Sequence, residues 1–364
     1  MSRLVLVATA LVGVGYAYLA LSLGTGPWSR LALLVPFFFI WIVPVHYWSR
    51  ERDEHESLLD HAVHLASYLS MAWVSFALVL TLGRDLLLLG TSWTPVLHGY
   101  VSEAGAPVVL GASLLAMAFG AATALRGPRI ERVEIRVPGL HPDLEGFRIV
   151  QISDLHVGRT IRRAYVEHTV EKALALAPDL FALTGDIVDG PVDRLAPHVQ
   201  SLSRLDKAFF ILGNNDCYSG AERWIAHFRA MGMRVLLNEH AVVRKGAARL
   251  IVGGVVDPAY QRFPPKISLE KAQTADFRLL LAHNPRLAPL GARAGFDLQL
   301  SGHTHAGQFF PWTLAVRLVH APHVAGLSRE GAMQVYVSAG TGTWGPPVRF
   351  GTSPELTLLV LRKA

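Results

Sequence analysis

At 364 residues the chain is longer than one average domain of about 150 residues. Hydrophobic residues make up 51% and charged residues 17%, against about 25% charged in an ordinary soluble protein, which argues against a wholly soluble chain. The lone Cys217 excludes an intramolecular disulfide, and the net charge of +6 rests on scattered arginines without an aromatic-interleaved basic stripe, so no nucleic-acid partner is expected.

The apolar excess lies before Arg126. Four stretches, near Leu4–Leu23, Leu31–Trp48, Ala62–Leu82 and Pro107–Leu125, each approach the roughly 20 residues that span a bilayer as helix. None carries Lys, Arg, Asp or Glu inside it, as lipid burial requires. Trp28, Trp41, Trp48 and Trp93 lie near their ends, where interfacial aromatics belong. The first stretch alone has the form of a signal peptide, but three more favour a multi-pass membrane region over residues 1–127. With the N-terminus inside, Arg3, Arg50, Arg52, Arg126, Arg129, Arg132 and Arg136 all face the cytoplasm, and only Arg30 and Arg84 face out. That bias predicts four spans of a cell (inner) membrane with both termini cytoplasmic. His46, His55, His61 and His64, mixed with Asp53, Glu54, Glu56 and Asp60, read as a solvated interhelical loop.

After Pro128 the pattern changes to alternating strands and helices, the mark of a layered α/β domain over residues 128–364. Strands are predicted at Ile130–Val137, Phe147–Ile152, Leu180–Thr184, Ala208–Leu212, Arg249–Val255, Arg278–Ala282, Asp297–Leu300, Gln334–Ser338 and Leu356–Leu361. Helices are predicted at Ala164–Ala177, Val192–Leu205, Ala221–Met231, Leu269–Ala275 and Arg286–Ala294. Phe263–Lys266 and Gly340–Gly345 read as loops.

Several apolar runs end in a polar cluster: Asp154-Leu155-His156, Gly185-Asp186, Gly213-Asn214-Asn215-Asp216, His283-Asn284 and Gly302-His303-Thr304-His305. Ligands of open α/β sheets bind at the C-terminal ends of strands, so these ends would gather Asp, Asn and His at one edge. Imidazole, carboxylate and amide oxygen without thiolate suit Mn, Fe, Zn or Co, and a shared carboxylate can hold two such ions about 3.5–4 Å apart. Glycines at 185, 213 and 302 let the backbone turn tightly beside these side chains. Each cluster alone is a common turn or core feature. The ordered set is hard to explain as structure.

That order, continued by Gly185-Asp186-Ile187-Val188-Asp189-Gly190, His283-Asn284-Pro285 and Gly302-His303-Thr304-His305-Ala306-Gly307-Gln308, resembles the calcineurin-like metallophosphoesterase superfamily. The last two motifs, with Gly340-Thr341-Gly342 and Pro347-Val348-Arg349, are similar to its bacterial branch of membrane-associated phosphodiesterases. The resemblance covers residues 129–364 and implies a four-layer α-β-β-α sandwich. It further implies that Asp154, His156 and His305 hold one divalent metal, that Asn214, His283 and His303 hold a second, and that Asp186 bridges them. A metal-bridging hydroxide would then attack phosphorus. Asp189 is expected to shape its loop.

One position departs from the family pattern. Where a histidine usually contacts the phosphoryl oxygen, this chain has Asn215, which can donate a hydrogen bond to an oxyanion but no proton at neutral pH. Slower turnover is expected, and Asn215→His is expected to raise it. His320 and His323, in a predicted loop, are candidates to stand in, and Cys217 reads as packing. Three functions follow for comparison. The first is a membrane-anchored phosphodiesterase acting on a lipid headgroup or a nucleotide. The second is a catalytically weakened metal- and phosphate-binding sensor or scaffold, and the third is a transporter, which charge-free spans disfavour.

Overall fold

The computed structural model describes residues 3–49, 58–260 and 275–364. The chain begins with helices α1 (Arg3–Leu23), α2 (Pro27–Ser49), α3 (Leu58–Gly90) and α4 (Pro95–Leu125). The expectation of four spans is corrected here. Among the described residues two helices, α3 and α4, are long and apolar enough to cross a membrane, with mean hydropathy of 1.8 and 2.0. The apolar parts of α1 and α2, Thr9–Leu23 and Pro27–Ile40, run to 10–17 residues. Of the histidine-rich run expected as a solvated loop, Asp53, Glu54, His55 and Glu56 lie outside the described residues, whereas Asp60, His61 and His64 belong to helix α3, where His64 is buried.

The chain divides into two compact units. The first holds Met1–Ala122 with two short segments from far downstream, Phe309–Pro311 and Gly345–Phe350. Inside it, Tyr16 and Leu19 of α1 pack with Trp73 and Ala77 of α3 and Val109 of α4. Trp73 Nε1 donates to Ser113 Oγ at 3.0 Å, and Tyr16 donates to the Ser70 carbonyl at 2.9 Å. Phe76 meets the rings of Phe309 and Phe350, and the Arg349 amide donates to the Gly120 carbonyl. Leu86, Leu89, Leu115 and Phe119 remain exposed, the pattern of helices whose solvent is lipid.

The second unit holds the remaining residues. In chain order its elements are β1 (Arg129–Val137), β2 (Arg148–Ile152), α5 (Arg163–Ala175), β3 (Leu180–Leu183), α6 (Val192–Val199), β4 (Ala208–Phe210), α7 (Asn214–Tyr218) and α8 (Ala221–Ala230). They continue with β5 (Arg234–Val235), β6 (Glu239–Lys245), β7 (Ala248–Gly254), β8 (Phe277–Leu281), α9 (Ala288–Arg293), β9 (Leu298–Ser301), α10 (Trp312–His320), β10 (Gly326–Glu330), β11 (Met333–Val337) and β12 (Glu355–Lys363).

Two six-stranded mixed sheets result, ordered β1-β12-β2-β3-β4-β5 and β10-β11-β9-β8-β7-β6. The period of two explains why they stack. In β2, Ile149 faces the core between the sheets while Val150 and Ile152 face α5 and α6. In β8, Phe277, Leu279 and Leu281 point to the same inter-sheet core, and Leu280 points to α9. The layers are therefore helix, sheet, sheet, helix. This sandwich agrees with the α/β expectation, although the four-helix membrane prefix attached to it does not stand.

β2, β3 and β4 run parallel in one sheet, and β7, β8 and β9 run parallel in the other. Buried Gln151, at the end of β2, donates to Thr184 Oγ1 at 2.8 Å and across to the Ser301 carbonyl of β9 at 2.9 Å. That polar link brings the C-terminal ends of both sheets together, and the site lies there.

The sequence reading missed β5, β6, β10, the short α7 and α10, which it took as loop. β10 has no alternating apolar face to betray it, and α10 turns its apolar residues outward. The predicted helix Leu269–Ala275 lies essentially outside the described residues, as does the loop Phe263–Lys266.

Candidate metal centre

Five of the parallel strands each deliver one candidate ligand about two to four residues past their ends: Asp154 after β2, Asp186 after β3, Asn214 after β4, His283 after β8 and His303 after β9. The turns that follow are tight. Asp154, His156, Asp186, His303 and His305 all have φ between 50° and 73°, a region that non-glycine residues visit rarely and at a cost of about 1–3 kcal/mol each. Such strain persists where packing over-determines it. At Gly302 a Cβ would collide with the Asp154 carboxylate and with Ser153 Oγ, and at Gly213 with Asp186.

Three loops are laced to one another by hydrogen bonds. The amides of Asp154 and His156 donate to the carbonyls of Gly185 and Asp186, both at 3.0 Å. Thr341 and Gly342 donate to the carbonyls of Ser153 and Asp154, which gives the late Gly340-Thr341-Gly342 run a bracing role. Asp216, fully buried, accepts from the amides of Asp186, Ile187, Val188 and Gly213 at 2.8–3.1 Å. Burial raises its pKa against the pull of those amides. The sequence reading quoted Asp216 but gave it no role. Here it ties the Asp186 turn to the Asn214 turn.

Two groups emerge whose ligand atoms lie within 4.8 Å of one another: Asp154, His156 and His305, and Asp186, His283 and His303. His156 Nε2 and His305 Nε2 approach to 2.9 Å, and His305 Nε2 lies 3.5 Å from Asp154 Oδ1. Asp186 Oδ2 stands between the groups, 3.8 Å from His156 Nε2 and 3.3 Å from His283 Nε2. The structure thus brings six of the seven predicted ligands into two clusters. The seventh, Asn214, points a buried Oδ1 with no hydrogen-bond partner.

The residues fit a pair of cations. Asp154 Oδ2 and His283 Nε2 are likewise buried and without a hydrogen-bond partner, the condition of atoms that await a ligand. His283 Nδ1 is 2.8 Å from the Thr184 carbonyl, which fixes Nε2 as the free nitrogen. Among the described residues no Lys or Arg forms an ion pair with Asp154, Asp186, Asp216 or Asp257, and the partners that face Asp154 and Asp186 are histidines, themselves candidate ligands. Burial opposes ionisation of Asp186, yet His283, His156 and Asn215 hold it well below the usual carboxylate range. Burial likewise opposes charge on His156, but Asp189, Asp186 and Asp154 push it up to about 9. His303 is driven down to about 3 by burial and by His283, so it is neutral.

Partners of the ligands also become visible. His156 Nδ1 meets Asp189 Oδ1 at 2.8 Å, so Asp189 orients a candidate ligand. Asn215 donates from its amide nitrogen to Asp186 Oδ1 at 2.8 Å and from Nδ2 to Oδ2 at 2.7 Å. His320 packs edge-on to His303 with ring centroids 5.3 Å apart, whereas His323 is engaged by Ser328 and Glu330. Cys217 packs against the core, and burial pushes its thiol pKa up. Asp257, 3% exposed and just beyond β7, has one partnerless oxygen; burial opposes charge on His283, while Asp186, Asp154 and then Asp257 raise its pKa. The signal for it was present in the sequence, because the run Ile251–Val256 ends in Asp257-Pro258 as the other strands end in their ligands.

Comparison with known proteins follows the same lines. The profile of the family described as calcineurin-like phosphoesterase matches residues 147–307. A transmembrane protein with metallophosphoesterase domain from Danio rerio is 35% identical over 263 residues, 68% of this chain and 60% of the relative. An uncharacterized metallophosphoesterase of Helicobacter pylori is 33% identical over 65% of each chain. One from Aquifex aeolicus is 30% identical over 64% of this chain and 92% of its own length. The chain thus spans less than two thirds of the first two relatives and nearly all of the third.

Proposed function

The chain belongs to the calcineurin-like phosphoesterase family, and from that premise we propose that it is a membrane-anchored, dinuclear-metal phosphodiesterase. The observation that carries this reading is two three-residue clusters at the joined ends of two sheets, with Asp186 Oδ2 of one lying 3.8 Å from His156 Nε2 of the other. We assign Asp154, His156 and His305 to one ion, Asn214, His283 and His303 to the other, and Asp186 to both. Two divalent ions (Mn, Fe, Zn or Co) held there would activate water and screen the phosphate charge. Water would add to phosphorus, the P–O bond to the leaving alcohol would break, and the proton lost by water would end on the alkoxide.

The chain's own residues would prepare that event. Asp189 orients the His156 ring through Nδ1 so that Nε2 faces the cluster, and Asn215 and Asp216 set the carboxylate and backbone of Asp186. Asn215 can donate a hydrogen bond but no proton at neutral pH, so leaving groups that need no proton are favoured. We place a membrane region at residues 1–127 and the catalytic domain at 128–364. With α3 and α4 as the spans, Arg50 and Arg52 precede them and Arg126, Arg129, Arg132 and Arg136 follow. This bias supports a cytoplasmic catalytic domain.

The narrower likeness, to bacterial membrane-associated phosphodiesterases, rests on the His283-Asn284-Pro285 and Gly302-to-Gln308 motifs. A vertebrate relative at 35% identity extends the pattern beyond bacteria. A lipid headgroup is the favoured substrate because tethering raises the effective concentration of the site toward membrane-borne esters.

The test uses the full chain in detergent, with metal analysis and bis-p-nitrophenyl phosphate hydrolysis in added Mn. Two ions per chain and turnover lost in Asp186→Ala and His303→Ala are expected. Metal binding without hydrolysis would favour the sensor or scaffold instead.

A further inference from the structure

Helix α10 is amphipathic in the wrong sense for a soluble domain. At about 100° per residue Leu314, Ala315, Leu318 and Val319 share one side, and Thr313, Val316 and His320 share the other. The apolar side faces out: Leu314 is 56%, Leu318 89% and Val319 57% exposed, and no residue of the helix is buried. A surface helix ordinarily turns such a stripe to the core.

The opposite side lies against the metal-centre loops. His320 packs on the His303 ring, Arg286 donates to the Val319 carbonyl at 2.7 Å, and a Cβ on Gly307 would collide with the backbone of Trp312 and Thr313. The helix is thus one side chain removed from the candidate ligands.

We propose that the outer face of α10 seats in the headgroup layer of the bilayer, so that an amphiphilic phosphodiester reaches the metal centre without leaving the membrane. This rests on the reading of the centre as a membrane-anchored phosphodiesterase. Three observations select the bilayer as occupant. Among the described residues two helices are long and apolar enough to cross it, so the bilayer is the apolar phase always near. Exposed Arg317 and Arg286 flank the apolar face and suit anionic headgroups, while Trp312 at the helix start, 52% exposed, suits the interface. A stable protein partner needs about 20–30 residues a side, and α10 offers nine.

The test places an environment-sensitive fluorophore at Leu318→Cys in the full chain with Cys217→Ala, reconstituted in phosphatidylcholine–phosphatidylglycerol vesicles. Blue-shifted emission quenched by doxyl-labelled phosphatidylcholine is expected, with no such change for the label at Arg229→Cys, exposed on α8. Emission that stays red, or a blue shift that doxyl lipid does not quench, overturns the proposal, the latter pointing to a protein partner or a second copy.

Activity gives an independent reading. In Leu314→Asp with Leu318→Asp, hydrolysis of bis-p-nitrophenyl phosphate should be unchanged, while release of p-nitrophenol from phosphatidyl-p-nitrophenol in vesicles should fall about tenfold or more. An equal loss on both esters would show a merely structural role and overturn the proposal. Should the unmutated chain hydrolyse neither ester, the phosphodiesterase reading fails, and the quenching result still decides the seating of α10.

Discussion

Asn215 stands where the family pattern leads one to expect a histidine, and the structure engages its amide with Asp186. A carboxylate that serves two ions must present both oxygens in a fixed orientation, and partners of this kind are typically worth about 10–100-fold in metal affinity. Asn215→Ala is therefore expected to weaken metal retention by about tenfold or more, read by titration against a chelating dye. Unchanged retention would return Asn215 to substrate contact alone. Cys217, held against the core with its thiol pKa raised by burial, has no paired base. Activity of Cys217→Ala should equal that of the parent in the p-nitrophenyl assay, and a large loss would reinstate a thiol in the chemistry.

At the scale of the element, the decisive unit is the strand followed by a turn with positive φ. A strand gives direction and a left-handed residue turns the side chain inward, which is why strain gathers at five of the candidate ligands. The glycines beside them make the close approach possible. Gly302→Ala would press a methyl onto buried Asp154, and overpacking of that kind costs about 1–3 kcal/mol. A lower melting temperature together with loss of one ion per chain is expected, whereas loss of stability with both ions retained would refute the coupling. Elements of this kind were legible in the sequence because apolar runs ending in Gly, Asp, Asn or His leave a local trace. β10 and α10 were not, since an edge strand needs no alternating face and α10 reverses the usual pattern.

At the scale of the whole molecule, the sandwich concentrates buried carboxylate at one rim without a pairing Lys or Arg among the described residues. Cations bound only by the folded state then stabilise it, by about 2.7 kcal/mol at a concentration a hundredfold above Kd. Treatment with chelator should lower the melting temperature of the full chain, added Mn should restore it, and Asp186→Ala should abolish the difference. Orientation is also a property of the whole chain. The turn between α3 and α4 is expected outside, so a cysteine at Trp93→Cys in the Cys217→Ala chain should react with an impermeant maleimide in intact cells. Protection there, with labelling at Arg229→Cys instead, would invert the proposed topology.

The order of ligand-bearing motifs, the alternation that makes a layered α/β domain, and the apolar character of the first third are local properties, so the amino-acid sequence determines them unaided. Among the described residues the helices long and apolar enough to cross a membrane are α3 and α4. The pairing of ligands into two clusters, the place of Asp186 between them, the bracing by Asp216, Gln151 and Thr341, and the engagement of Asn215 all join residues distant in the chain. Sheet stacking makes those contacts, and no spacing along the sequence encodes them.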